Sequence, residues 1–427
     1  MDTWANRVGD SFPDSGCLEE GGRLLAILIL NRNLHSFTPY EQWLDSKELV
    51  MLTSSDSHDS FLHVNDRYEY IESFNRFGAN GNVERRAMEL HSHYRFSAII
   101  AVAEYDLIRA AELRETLGIE GQNLKSATAY RNKCIMKQIV KESGVTVPAF
   151  ERVRTNMDLI QFASKHSLPL VVKVVDGSGA EGVSIIRDHA DLIERLQKGF
   201  QGEWIVEEYV PGVVYHVDGL YQDGRILFSW PSVYINDCLA YTDGNPSGSY
   251  ILEADNTLVP RLQQVVQQSI DALPSPRIMA FHAEIFHTPN DELVFCEIAS
   301  RVGGSKIGDM IYSAFDFNLM ESWLRLQCQL NLNTSVPDKP VNIVGNVLVH
   351  PKKGMFIRAP KVQIPFKAIE YEILAEPGQS FDYGNHCNDC LASFVIEGDS
   401  EEDTRLKLQE CVEWFTSNMV WDSSLFF

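Results

Sequence analysis

The sequence has little positive charge. Lys and Arg number 37 against 59 Asp and Glu, which gives a formal net charge of −22 at pH 7. A surface of this charge repels nucleic-acid phosphates and anionic lipid, so no nucleic-acid partner is expected, and a phosphate-bearing ligand needs a local cationic pocket. The acidity itself is explained by solubility more simply than by a cationic partner.

Long apolar runs are also missing. No stretch approaches the roughly 18 apolar residues of a membrane span. The first residues, MDTWANRVGDSFPDSG, have neither the basic segment nor the apolar segment of a secretion signal. The sequence therefore predicts a cytoplasmic protein without a membrane partner.

Cysteine is sparse, with 8 residues spread over 427. This lacks the dense spacing of a secreted disulfide scaffold, so reduced thiols are expected. The one close pair is Cys387 and Cys390, and a structural zinc site would need two further ligands at comparable spacing, which the sequence does not offer.

The remaining composition is that of an ordinary globular protein. Hydrophobic residues make up 44% and charged residues 22% of the chain, which excludes the fibrous and disordered classes. A length of 427 residues indicates two to four domains. No internal repeat is visible.

The first part of the chain has an α/β pattern. Residues 24–30 and 96–103 are short apolar runs, typical of parallel strands buried on both faces. The stretch 107–118 has helical spacing and ends at a glycine. We expect a Rossmann-like α/β domain over residues 20–125, after a polar segment at 1–19.

A single helix is predicted over 126–143, and the pattern then changes to closely spaced strands. Strand candidates lie at 170–175, 204–210, 213–221 and 225–234. The Asp-Gly pair at 223–224 predicts a hairpin between the last two. The turn-rich stretch 236–250 is either a cover over a substrate or a plain surface loop.

A glycine-rich segment at 171–186, VVKVVDGSGAEGVSII, has the composition of a phosphate-binding loop. Lys173 lies on its first strand, and Gly177, Ser178 and Gly179 follow in the turn. Glycines allow backbone N–H groups to approach phosphate oxygens, and the lysine adds a point charge. Taken alone, the segment is also explained by an ordinary hairpin turn.

Two carboxylates lie on the arms of a second predicted hairpin, HAEIFH at 282–287 and LVFCEIA at 293–299. If the arms pair in register, Glu284 and Glu297 project from one face, as Mg²⁺ requires when phosphates supply further ligands. Arg301 follows closely enough to bind a carboxylate or phosphate in the same cavity. A buried ion pair between Glu297 and Arg301 is the simpler alternative.

Together these segments resemble the ATP-grasp superfamily, in the family's order, over about residues 96–310. The form E-I-A-x-R-x-G-G at 297–304 resembles the L-amino-acid ligases, which make dipeptides. The resemblance implies an α/β and α+β architecture in three parts. These are a Rossmann-like pre-ATP-grasp domain at 20–125, a linking helix and lid subdomain at 126–212, and a C-terminal catalytic lobe at 213–427.

The resemblance also implies roles for individual residues. Lys133 and Lys173 match the nucleotide-binding lysines, and Gly177, Ser178 and Gly179 match the loop over the phosphates. Glu207 matches the acceptor of the adenine amino group, with Glu208, Tyr209 and Val210 at the ring edge. Glu284 and Glu297 match the metal ligands. Arg301 matches the residue that stabilises the tetrahedral intermediate, so it and Lys173 are expected to be catalytic. Gly303, Gly304 and His282 are expected at the substrate.

The sequence departs from the family pattern at three positions. Val174 replaces a proline, which should be harmless. Val214 falls where a ribose-binding carboxylate is usual, so Asp218 or His216 is expected in that role. Ala299 replaces a frequent metal-binding asparagine. His282 is explained equally well as a hydrogen-bonded core histidine.

The implied activity is ligation of a carboxylate to an amine, with ATP and with Mg²⁺ or Mn²⁺. The acid is expected to pass through an acyl-phosphate, with release of ADP and phosphate. Amino acids are the expected substrates, and a homodimer is the expected assembly. A carrier-protein thiol or a bicarbonate-derived donor is an alternative within the same fold. A nucleotide-binding module without catalysis is a third alternative.

Overall fold

A computed structural model describes residues 26–45, 47–237, 239–383 and 389–424. The expected polar segment at 1–19, the first two residues of the run at 24–30, and Cys387 lie outside the described residues. In the described part, five cysteines are free thiols: Cys134, Cys296, Cys328, Cys390 and Cys411.

The N-terminal part is a parallel sheet with helices. Its strands are β1 (Ile27–Asn31), β2 (Leu49–Ser54), β3 (Tyr70–Phe74) and β4 (Ala98–Ala101), and its helices are α1 (Tyr40–Trp43), α2 (Ser55–His58), α3 (Asn82–Tyr94) and α4 (Leu107–Leu117). The strand order is β3-β2-β1-β4. Every residue of β1 and β4 is buried, as the two apolar runs predict.

The predicted single helix at 126–143 is two helices. They are α5 (Leu124–Arg131) and α6 (Lys133–Glu142). Asn132 breaks the helix with an extended backbone, and its side chain accepts a hydrogen bond from the N–H of Ile135 at 3.1 Å, which caps α6. Lys133 thereby becomes the first residue of α6, and its N–H donates to the carbonyl of Val175 at 3.0 Å.

The lid is a small antiparallel sheet flanked by two helices. Its strands are β5 (Phe150–Val153), β6 (Leu170–Val174), β7 (Ser184–Ile186) and β8 (Trp204–Glu208), and its helices are α7 (Asn156–Lys165) and α8 (His189–Lys198). The order β5-β8-β6-β7 places the glycine-rich loop between the paired strands β6 and β7, as predicted.

The C-terminal lobe is built on a large antiparallel sheet. Its strands are β9 (Val213–Gln222), β10 (Arg225–Tyr234), β11 (Ser247–Ile251), β12 (Ile278–His287), β13 (Leu293–Ala299), β14 (Ile343–Val349), β16 (Glu370–Ile373) and β18 (Ala392–Gly398). Their order is β13-β12-β9-β10-β11-β14-β18-β16. The predicted hairpin at 223–224 joins β9 to β10. The surface-loop prediction for 236–250 is wrong at its end, where β11 forms an interior strand.

Four α-helices and a small sheet complete the part of this lobe that the structure describes. The helices are α9 (Leu258–Ala272), α10 (Ile307–Phe315), α11 (Leu319–Gln327) and α12 (Glu401–Asn418), and the small sheet contains β15 (Gly354–Arg358), β17 (Gln379–Phe381) and β19 (Val420–Asp422). None of the helices in the described ranges combines the length and the apolar character that a membrane crossing requires.

One hydrophobic core connects the N-terminal sheet to the C-terminal lobe. Ile29 and Ile100 of the parallel sheet belong to the same buried cluster as Trp323 of α11 and Phe281 of β12. Because apolar contact is continuous between them, the loop after β4 is held in a fixed position relative to the large antiparallel sheet.

The close packing of β9 predicts a large cost for a small change at Gly219. A Cβ there would lie 2.3 Å from both the carbonyl oxygen of Phe228 and the ring of Phe281. We expect Gly219→Ala to lower the free energy of unfolding by about 1–3 kcal/mol, measured by urea denaturation. Gly81→Ala is the control, since nothing lies within 4 Å of its Cβ. Equal stability of the two variants would contradict this packing.

Candidate active site

A cleft between the lid, the large sheet and the N-terminal part brings most of the predicted site residues together. The residues that line it include these members of the predicted set: Lys133, Lys173, Gly177, Ser178, Gly179, Glu207, Glu208, Tyr209, Val210, His282, Glu284, Glu297, Arg301 and Gly304. Gly303 and Asp218 are not among its lining residues. Val214, at the expected ribose position, does line the cleft.

The two predicted metal ligands face each other on adjacent strands. Glu284 of β12 pairs directly with Glu297 of β13, as the in-register hairpin predicts. Burial would raise the pKa of Glu297, but Lys133, Lys173 and Lys137 hold it at about 2. Burial also opposes ionisation of Glu284, yet its pKa is lowered, chiefly by a hydrogen bond with His282, and Tyr234 Oη donates to it at 3.0 Å.

This pair fits a hard divalent cation. Both groups are ionised carboxylates, which are the ligands that Mg²⁺ prefers. Ala299, in place of the family's asparagine, lines the same cleft and has no side-chain oxygen to offer. Glu284 and Glu297 are therefore the acidic side chains of this hairpin that line the cleft.

The two predicted phosphate-binding lysines contact the same carboxylate. Lys133 Nζ lies 3.5 Å and Lys173 Nζ 3.7 Å from Glu297 Oε2. Lys173 Nζ is also 3.2 Å from Glu207 Oε2. Burial would lower the pKa of Lys173, but Glu207 and other neighbours raise it well above its ordinary value. Lys173 is therefore charged, and both lysines line the cleft.

Lys137 is a third buried lysine that sequence analysis missed. It has no solvent exposure, lies 3.2 Å from Glu207 Oε1, and donates to the carbonyl of Cys296 at 2.5 Å. It thus connects α6 to the lid strand β8 and to β13. The available signal was its spacing of four residues from Lys133, which places both on one face of a helix.

The glycine-rich loop lies against the rest of the cleft. Lys133 Nζ donates to the carbonyl of Gly177 at 2.6 Å, and Arg131 donates to the carbonyl of Asp176. Tyr105, from the N-terminal part, donates to Glu181 at 2.8 Å. The loop is therefore held from both the linking helices and the N-terminal domain.

Arg301 does not pair with Glu297, so the alternative of a simple ion pair between them is wrong. Its carboxylate partner is Glu104, which accepts from Arg301 Nε and, at 2.5 Å, from Arg131 Nη1. Burial would raise the pKa of Glu104, but the two arginines lower it. Glu104 was missed by sequence analysis. Its signal was its position just after β4, at the carboxyl edge of a parallel sheet.

Asp218 lies beneath the cleft, between two histidines. It accepts from His216 Nδ1 at 2.6 Å and from His282 Nδ1 at 2.9 Å, and it is 1% exposed. A ribose-binding role for Asp218 or His216 therefore does not agree with the structure, because both are buried and engaged. Gly303 covers this group closely, since a Cβ there would lie 2.7 Å from Asp218 Oδ1.

The side chains of Asp218 and its two histidine partners, His216 and His282, also place possible metal-ligand atoms within 4.8 Å of one another. Their hydrogen bonds account for the arrangement without a metal. Burial would lower the pKa of His282, but Asp218 raises it to about 9. Burial would raise the pKa of Asp218, but His282 and His216 lower it. Asp218 thus fixes the orientation of His282, whose Nε2 is directed toward Glu284 and Tyr234.

The sequence and the fold resemble known ligases. Over 329 residues the chain is 28% identical to the L-arginine-specific L-amino acid ligase of Bacillus subtilis, which covers 73% of this chain and 78% of that protein. The crystal structure of an L-amino acid ligase from Bacillus licheniformis superposes with a TM-score of 0.76 at 17% identity, over 94% of this chain and 99% of that one.

A carboxylase domain also has this fold. The biotin carboxylase domain of the Hydrogenobacter thermophilus 2-oxoglutarate carboxylase, in complex with MgADP, ADP and bicarbonate, superposes with a TM-score of 0.68 at 14% identity, over 94% of this chain and 92% of that one. No protein-family model matches the chain.

Removal of the Lys137 charge should weaken the centre of the cleft. In Lys137→Met, Glu207 loses one of its two lysine partners and retains the ion pair with Lys173. We expect the free energy of unfolding to fall by about 3 kcal/mol, because breaking a buried ion pair costs at least about that much. Urea denaturation measures it. Lys141→Met, at an exposed position of the same helix, is the control. An unchanged stability in Lys137→Met would show that the ion pair contributes nothing net.

The raised pKa of His282 predicts a pH dependence of stability. A group whose pKa rises on folding stabilises the protein fully below its unfolded pKa, and that contribution is lost as the pH rises through the folded value. Between pH 6.5 and 9 we therefore expect wild-type stability to fall more steeply than that of Asp218→Asn, in urea denaturation. Asp291→Asn, which removes the partner of the surface residue His287, is the control. Parallel curves for wild type and Asp218→Asn would refute the assignment.

Proposed function

We propose that the chain is an ADP-forming ligase of the ATP-grasp superfamily and that it joins two amino acids, or an amino-acid-like acid and an amine, in an amide bond. The observation that carries the proposal is the facing pair Glu284 and Glu297 with two lysines within 4 Å of Glu297. The sequence comparison supports it, because the Bacillus subtilis relative is an L-amino acid ligase.

In this proposal the lysines and the loop hold the nucleotide. Lys133 and Lys173 exchange their contact with Glu297 for the phosphates of ATP, while Glu284 and Glu297 hold Mg²⁺. Bound Mg²⁺ supplies charge neutralisation at the phosphoryl oxygens during transfer to the substrate carboxylate. Glu207, Glu208, Tyr209 and Val210 line the part of the cleft assigned to adenine.

Arg301 has the role of stabilising charge at the reacting acyl carbon. Its Nε and Nη1 are engaged by Glu104 and by the carbonyl of Val302, so its orientation is set before substrate binds. The remaining Nη2 group is available to the oxyanion that forms when the amine attacks the acyl-phosphate. The glycine-rich loop excludes water, which would otherwise hydrolyse that intermediate.

The proposal is tested by phosphate release from Mg-ATP with the twenty amino acids, singly and in pairs. We expect release that depends on amino acids and, by mass spectrometry, a product at the summed mass minus water.

Arg301→Ala should lower kcat on the order of 100 to 1000-fold, as loss of an oxyanion donor does. Arg277→Ala, at an exposed position, is the control.

Bicarbonate is the second candidate donor, because the carboxylase domain has the same fold. Phosphate release that requires bicarbonate and no amino acid would favour it and contradict the amino-acid proposal. Phosphate release that requires a carrier-protein thiol would favour a thiol acceptor and would likewise contradict the amino-acid proposal. ATP binding without release under any condition would leave a non-catalytic nucleotide-binding module. A homodimer remains the assembly that we propose.

A further inference from the structure

The cleft continues past the two metal-binding carboxylates along the large sheet. Tyr234 of β10 pairs with Ser249 of β11, and Ser249 pairs with Asn346 of β14, so these side chains form one row across three strands. Strands in a sheet are about 4.8 Å apart, which places Asn346 on the order of 10 Å from β10. We call this region the distal pocket; its lining residues are Tyr234, Ser249, Asn346, Leu348, Ser305 and Ile307.

The amide of Asn346 has a defined orientation at the end of this pocket. Its Nδ2 donates to Ser249 Oγ at 3.2 Å and to Met310 Sδ at 3.4 Å. A thioether sulfur is only an acceptor, so the flipped amide would place two acceptors against each other. The N–H groups are therefore directed at Ser249 and Met310, and the carbonyl oxygen Oδ1 is the amide atom left for the cavity.

The remaining walls favour a side chain with an apolar stem. Leu348 and Ile307 supply aliphatic surface beside Asn346. The cationic side chains that line the described cleft are Arg131, Lys133, Lys173, Arg301 and the protonated His282. The first four belong to the phosphate or acyl end, and the Nε2 of His282 is directed toward Glu284. The distal pocket thus presents a fixed acceptor and no lining cation among the described residues. A ligand group that ends in an N–H donor satisfies the acceptor, whereas a carboxylate is repelled by it.

We propose that the distal pocket binds the side chain of an amino-acid substrate that ends in a nitrogen donor, namely an amide, ammonium or guanidinium group at the end of a straight aliphatic stem. Asn346 Oδ1 accepts the hydrogen bond and is the residue that determines this specificity. The proposal rests on the function proposed above and narrows its substrate class. Its distinctive claim is discrimination by the nitrogen at the tip and not by the length of the stem.

Two matched pairs of amino acids test it by titration calorimetry with the full 427-residue chain and Mg-ADP. Lysine differs from norleucine by its terminal ammonium group, and glutamine differs from glutamate by its amide. We expect lysine, glutamine or both to bind about tenfold or more tightly than the matched partner, as loss of a hydrogen bond to a buried acceptor implies. Equal affinity within both pairs, or no binding of any of the four, would overturn the proposal.

Variants of Asn346 show whether this residue is responsible. Asn346→Leu should abolish the discrimination within both pairs, and the nearly isosteric Asn346→Asp should favour lysine over glutamine. Thermal melting establishes that each variant folds, and Asn418→Leu, at an exposed position on α12, is the control. Wild-type discrimination retained in a folded Asn346→Asp, with no gain for lysine, would contradict the role of Asn346.

Phosphate release in the same samples separates this inference from the proposed function. Discrimination in binding without release of phosphate would refute the ligase function and leave the pocket specificity standing. Release of phosphate with norleucine as effective as lysine, and glutamate as effective as glutamine, would support the ligase function and refute the pocket specificity.

Discussion

Two carboxylates held face to face on adjacent strands impose the main constraint on this protein. Glu284 and Glu297 repel each other, and partial burial adds to the cost of keeping both ionised. The surrounding groups offset that cost: Lys133 and Lys173 beside one carboxylate, His282 and Tyr234 beside the other. Lys137 extends the same network through Glu207 into the lid. The buried polar network of the cleft is thus arranged around these two carboxylates.

The N-terminal domain contributes to this centre through Glu104. The continuous core holds the end of β4 in place, and Glu104 then binds both Arg301 of the C-terminal lobe and Arg131 of the linking helix. A Rossmann-like sheet is used here as a rigid support for one carboxylate at its carboxyl edge. The orientation of Arg301 therefore depends on a residue almost two hundred positions earlier in the chain.

The sequence predicts local features of this site well and distant ones poorly. The hairpin that pairs Glu284 with Glu297, and the glycine loop after Lys173, depend on neighbouring residues, so strand periodicity and turn chemistry suffice. The roles of Glu104 and Asn346 depend on contacts between segments that are distant in the chain, and a single sequence does not reveal such contacts. The sequence predicts Asp218 as a ribose ligand because it shows the position of this residue along the strand but not its burial beneath the cleft. The break at Asn132 was missed because a single asparagine also fits within a helix.

If Lys133 and Lys173 hold the nucleotide and Glu297 holds the metal, as proposed, the contact between these groups makes the binding of metal and nucleotide thermodynamically dependent on each other. A nucleotide that arrives alone draws the lysines away and leaves Glu297 without its counter-charges, and a cation that arrives alone meets two lysines already in place. Each ligand removes the obstacle to the other, so their binding is cooperative. By linkage, the factor by which Mg²⁺ raises the affinity for ATP equals the factor by which ATP raises the affinity for Mg²⁺.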